Sequence, residues 1–111
     1  MKKNNISKLL KVMKQLRDPK KGCPWDKKQT METIITHSIE EVYEVAEQIY
    51  KKDYDKLKEE LGDLLFQVVY LSQIASEKKK FNFNDVVKTI TSKMINRHPH
   101  VFNNKKFKTL R

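Results

Sequence analysis

The sequence predicts an all-α protein built as a four-helix bundle. Its 111 residues include only two glycines and three prolines, so little interrupts or weakens helices. Its apolar residues recur at the three-and-four spacing of a helix face, with few of the alternations that mark strands. A chain of this size is one domain by default and buries a modest core, which oligomerisation would help to complete.

The elements follow in order. Ile6, Leu9, Leu10, Met13 and Leu16 form one helix face. Asp18-Pro19 and Gly22-Cys23-Pro24 end that helix and mark a structured loop. Asp26 followed by Gln29 reads as a capping box, so a helix restarts near Lys27 and runs to about Tyr50, with room for a kink near Thr36. Lys51-Lys52-Asp53 is a tight connection. The next helix spans about Asp53 to Lys79, and its apolar residues, Leu57 through Ile74, go most of the way round. Such a helix is expected to be central and covered on several sides. Asn84 is the expected N-cap of a last helix carrying Val86, Val87, Ile90, Met94 and Ile95. That helix stops before His98-Pro99, because the residue before proline avoids helix. The single domain is expected over 1–111, with a core of about 6–102 and a frayed, basic tail at 103–111.

Composition narrows the function. No apolar run approaches the roughly 20 residues of a membrane span, the N-terminus lacks the apolar centre of a secretory signal, and Cys23 is the one cysteine. A reducing cytoplasm is the expected location. The net charge of +10 suggests anionic partners, but no aromatic residues interleave with a basic stripe, so nucleic acid is set aside. From Glu40 to Asp63 there are nine acids and four lysines, a net −5 that leaves +15 on the rest of the chain.

Two motifs dominate that acidic stretch: Glu40-Glu41-Val-Tyr-Glu44 and Glu59-Glu60-Leu-Gly-Asp63. Residues three apart on a helix share a face, so Glu41 pairs with Glu44 and Glu60 with Asp63. With the turn at Lys52-Asp53, both pairs lie roughly 11–17 Å from it at about 1.5 Å rise per residue. In an antiparallel hairpin the four carboxylates face one another and repel unless a cation sits among them. Mg²⁺, with Mn²⁺ as its substitute, is the hard ion that suits such oxygens. Asp63 lies in a nearly apolar run, Leu61 to Phe66, where an unpaired carboxylate is costly. Gly62 is expected to let a neighbour approach the backbone. A di-iron site is set aside, since no glutamate has a histidine three residues on.

Gly22-Cys-Pro-Trp-Asp26, Gln29-Thr30, Glu40-Glu41-x-x-Glu44, Glu59-Glu-Leu-Gly-Asp-Leu-Leu-Phe-Gln-Val-Val69 and Arg97-His-Pro-His-Val-Phe102 together closely resemble the MazG nucleoside triphosphate pyrophosphohydrolases, over about Leu9 to Phe102. The resemblance implies the all-α NTP pyrophosphohydrolase fold, completed as a homodimer or homotetramer. The implied reaction is the conversion of nucleoside triphosphates to monophosphate and pyrophosphate, as nucleotide-pool housekeeping. It implies metal ligands at Glu41, Glu44, Glu60 and Asp63, and a phosphate-contacting pair at Lys93 and Arg97. The chain carries one such module, similar to the first module of tandem members. Rival readings are a dCTP- or dUTP-selective hydrolase, a phosphoribosyl-ATP pyrophosphohydrolase, or a catalytically weak binding or regulatory module.

Glu41 is the expected acceptor of the water proton, with Glu44 or the neighbouring Glu40 as alternatives. His37, one turn before Glu41, is a candidate substrate contact. Trp25 could stack on a base, but is read first as a plug that seats its loop on the bundle. Cys23, His98 and His100 are read as structural.

Overall fold

The computed structural model describes residues 4–103. These form six helices: α1 (Asn5–Leu16), α2 (Pro24–Lys28), α3 (Met31–Lys51), α4 (Tyr54–Glu77), α5 (Phe83–Arg97) and α6 (Pro99–Phe102). No strand occurs among the described residues, and none of their helices is long and apolar enough to cross a membrane. The four long helices match the expected fold class, and α2 and α6 are single turns between and after them. The tail beyond residue 103 lies outside the described residues.

Asn4 caps α1 by accepting from the Ser7 N–H at 2.7 Å. The α1 stripe buries Met13 completely. The loop that follows is held by backbone bonds from Gly22 N to Asp18 O and from Cys23 N to Leu16 O. Asp18 accepts from the N–H groups of Lys20 and Lys21, which lowers its pKa. A Cβ on Gly22 would stand 2.4 Å from the Leu16 carbonyl oxygen, so only glycine fits here.

Three expected boundaries shift, each for a local reason. Asp26 does not cap the long helix. It lies inside α2 and its carboxylate accepts from the Tyr70 hydroxyl at 2.9 Å. Thr30 caps α3 instead, in a reciprocal box with Thr33. Likewise Asn82, not Asn84, caps α5, because Asp85 three residues on completes its box. Finally, α3 runs unbroken through Thr36.

Helices α3 and α4 form an antiparallel hairpin. Lys52 turns the chain in the left-handed region at φ 58°, and Asp53 caps α4 by accepting from the Lys56 N–H. The core joins Met13 of α1, Ile34 of α3 and Val69, Tyr70 and Ile74 of α4, with Phe83 of α5 packed against it. Helix α4 is central, as expected, but not covered all round. Leu61, Leu65 and Val68 stay exposed on it, as do Ile35, Ile39, Val42 and Ile49 on α3.

Candidate metal and nucleotide site

The hairpin fixes what the two acidic motifs can reach. Ser38 lies opposite Gln67, 3.3 Å from its Oε1. One turn on in α3, Glu41 faces Glu60 and Asp63 across the pair. One carboxylate oxygen from each of these three lies within 4.8 Å of the other two. Glu44 is exposed and lines the adjoining cavity but is not one of the converging three. The structure therefore brings together three of the four expected ligands and leaves the fourth at their edge.

Electrostatics single out Glu41. Its Oε2 is buried and has no hydrogen-bond partner among the described residues. Burial first, then Glu60, Asp63 and Glu44, push its pKa up to about 7. Asp63 was expected to be the strained member, inside its apolar run. It is instead exposed on the helix surface, because its apolar neighbours point round the other sides of α4. Local burial of its carboxyl and the nearby Glu60 still hold its pKa above the usual carboxylate range. Gly62 has no close neighbour among the described residues, since a Cβ there would meet nothing within 4 Å.

Of the three carboxylates, Glu41 and Glu60 line a cavity of about 640 Å³, and Asp63 adjoins it through them. A site of that volume suits a small-molecule ligand. Its walls include Glu40, Glu41, Glu44 and Glu60 together with Trp25, His37, Gln67 and Tyr70. His37 is exposed, with Nδ1 3.9 Å from Glu40 Oε1 and its ring 5.8 Å from that of Trp25. Trp25 does not plug the loop onto the bundle. That task falls to Asp26, which is 9% exposed, while Trp25 is 54% exposed. Sequence reasoning also passed over Tyr70 and Gln67 as cavity residues; Gln67 stands one helical turn beyond Asp63, which was the available signal.

Lys93 and Arg97 are not brought to this cavity. Lys93 lines a separate groove beside Phe81 and Ile90, and Arg97 is the exposed last residue of α5. His98 is structural as expected, its Nδ1 2.7 Å from the Met94 carbonyl oxygen.

Three hard oxygen donors, one of them a carboxylate with a buried, orphaned oxygen, fit a divalent cation such as Mg²⁺. Glu41, Glu60 and Asp63 are the residues that could hold it, with Glu44 in reach of the same cavity.

Comparison with known proteins identifies the family. The family profile of the MazG nucleotide pyrophosphohydrolase domain matches residues 29–102. The nucleoside triphosphate pyrophosphohydrolase of Escherichia coli (strain K12) is 54% identical over 99 residues, which cover 89% of this chain and 38% of that protein. The nucleoside triphosphate pyrophosphohydrolase/pyrophosphatase MazG of Thermotoga maritima is 50% identical over 97 residues, 87% of this chain and 38% of that protein. The uncharacterized protein YabN of Bacillus subtilis is 46% identical over 99 residues, 89% of this chain and 20% of that protein. The chain thus spans well under half the length of these relatives.

Proposed function

The chain belongs to the MazG nucleotide pyrophosphohydrolase family, and from that premise we propose that it hydrolyses nucleoside triphosphates to the monophosphate and pyrophosphate, with Mg²⁺ held by Glu41, Glu60 and Asp63. The observation that carries this reading is the convergence of those three carboxylates, one of which, Glu41, keeps a buried oxygen without a partner among the described residues. Relatives named as nucleoside triphosphate pyrophosphohydrolases support the substrate class.

The bound cation would neutralise the triphosphate and polarise the phosphorus under attack. The chain's own residues supply the rest. Glu44 extends the carboxylate set along the cavity wall. Glu40 lines the same cavity and is not among the converging three, so it is free to take the proton from water. Ligand and base duties, which compete for the same oxygens on Glu41, then fall to adjacent residues. His37 and Trp25 stand where the nucleoside would lie.

Lys93 and Arg97 take their phosphate-contacting role only in an assembly, since neither lines the cavity of its own chain. The exposed apolar stripes of α3 and α4 support a homodimer or homotetramer in which another copy brings α5 to the site. A reducing cytoplasm suits the single unpaired Cys23.

The test is direct. Purified protein is incubated with each NTP and dNTP and Mg²⁺, and monophosphate and pyrophosphate are quantified. Turnover of at least one is expected, reduced at least about a hundredfold in Glu60→Gln and Asp63→Asn, a loss of the size seen when a group that stabilises transition-state charge is removed. Absence of turnover for all eight would refute the activity, and undiminished turnover in both variants would refute the site.

A further inference from the structure

The most heavily bonded side chain outside the carboxylates is that of Arg17, just past the end of α1 and only 8% exposed. Its Nη1 donates to the carbonyl oxygens of Asp26 and Gln29, each at 2.8 Å. Its Nε and Nη2 donate to the Glu77 carboxylate at the far end of α4, and its guanidinium carbon lies 5.8 Å from the centre of the Tyr70 ring. Tyr70, 1% exposed, points its hydroxyl at both the carbonyl oxygen and Oδ1 of Asp26, each at 2.9 Å. A five-residue helical turn has little stability of its own. Here it is tied from beneath to α1 and α4 by two buried groups.

What this tie presents is Trp25. It is the one tryptophan of the chain, it precedes the tied Asp26, and its carbonyl is further fixed by the Gln29 amide at 2.9 Å. Burial would be the default fate of so large an apolar ring. Instead its polar neighbour Asp26 goes inside and the ring is left facing the carboxylate cavity, tilted against His37. A flat indole lining the same cavity as a cluster of carboxylates matches a ligand that carries both a flat ring and phosphates.

We propose that Arg17 and Tyr70 are positioning residues, which hold the Pro24–Lys28 turn so that Trp25 forms the wall on which the base of a nucleoside triphosphate stacks. This rests on the nucleotide reading of the cavity and assigns that reading its base-binding end. Arg17 acts at a distance, through the loop backbone. Lysine is no substitute, because an ammonium cannot bridge two carbonyls and a carboxylate in the planar geometry of a guanidinium.

The lone tryptophan makes the test specific. The full chain with Mg²⁺ is titrated with the four α,β-methylene nucleoside triphosphates, which resist cleavage at the bond in question, and with inorganic tripolyphosphate. Affinity is read by calorimetry and stacking by Trp25 emission. In the wild type, at least one nucleotide analogue is expected to quench Trp25 saturably and to bind at least about fivefold tighter than tripolyphosphate, the gain that one stacked base supplies. Arg17→Gln and the milder Tyr70→Phe are expected to lose that gain and the quenching, while tripolyphosphate affinity stays within about twofold. Trp25→Phe should keep most of the gain and Trp25→Ala should lose it.

Unchanged nucleotide affinity and quenching in a folded Tyr70→Phe or Arg17→Gln would overturn the positioning role. So would an equal loss of nucleotide and tripolyphosphate binding, which marks general damage to the fold. Wild-type binding of nucleotide no tighter than tripolyphosphate, without quenching, would overturn the base wall while leaving the phosphate end intact. Failure of the wild type to bind either ligand would instead remove the nucleotide reading itself, and this proposal with it.

Discussion

Replacing Glu41 with glutamine should make the metal-free protein more stable at pH 8. The sign follows from the raised pKa. Glu41 titrates near 7 in the folded chain against an ordinary value of 4.5. Its contribution to stability is therefore fully present below about pH 4.5 and is lost as pH rises through 7. The rise from 4.5 to about 7 corresponds to roughly 3.4 kcal/mol as an upper bound. A Coulomb estimate for one pair of charges at the outer limit of 4.8 Å and an effective dielectric of about 20 gives roughly 3.5 kcal/mol. Solvent reaches Glu60 and Asp63, so screening brings the net to about 1–2 kcal/mol. Glutamine keeps the shape and removes the charge. Thermal melts in chelator at pH 8 should show Glu41→Gln higher in Tm by about 4–12 °C, and the gain should shrink to near zero at pH 4.5. Adding Mg²⁺ should raise the wild type and leave the variant nearly unmoved, because binding to the folded state alone stabilises it. A variant less stable than wild type at pH 8, or one equally stabilised at both pH values, would refute the account of a carboxylate held ionised against repulsion.

Two other perturbations follow from the same helix. Gly62→Ala places a methyl where nothing lies within 4 Å, so it should stabilise the chain by up to about 1 kcal/mol of helix propensity in denaturant titration; destabilisation would mean that another copy packs its backbone at Gly62. Glu77 has its pKa lowered first by its bond to Arg17, so its contribution is present at neutral pH and lost as pH falls through that depressed value. Urea midpoints measured from pH 7 to pH 2.5 should therefore fall less steeply for Glu77→Gln than for wild type.

The helices were legible because their signals are local. The α1 stripe, the Lys51–Asp53 turn and the central α4 all follow from spacing within one element. The boundaries that moved were set by partners elsewhere. Asp26 reads as a cap until Tyr70, 44 residues on, claims its carboxylate. Asn84 reads as a cap until Asp85 completes a box with Asn82. For the site, register along the hairpin was enough to bring Glu41, Glu60 and Asp63 together. Register does not say which side chains are buried, and that is why Asp63 was misread as the strained carboxylate in place of Glu41. For the same reason Arg17 is illegible in the sequence, and Trp25 is legible only as one of two readings, a base-stacking ring or a plug. Their roles depend on a loop whose path is fixed by tertiary hydrogen bonds, and no periodicity encodes those.

The two ends of α4 make the strongest internal comparison. At its C-terminal end a nearly buried charge, Arg17, meets the Glu77 carboxylate and two backbone carbonyls. Toward its N-terminal end Glu41, Glu60 and Asp63 crowd together, and among the described residues no lysine or arginine lines the cavity they adjoin, although the chain carries 24 of them. Lysine side chains are available on the same hairpin: Lys51 pairs with Glu47 on the exposed face at 2.7 Å. The fold thus supplies a partner where a charge serves the scaffold, and withholds one where three carboxylates meet. Caps, turns and core all agree with one structure, so the disagreement at this point reads as function. A lysine introduced across the cavity, as in Gln67→Lys, would satisfy the carboxylates from within. It should raise the Tm of the metal-free protein and abolish its response to Mg²⁺ together, a pairing that a merely decorative acidic surface would not produce.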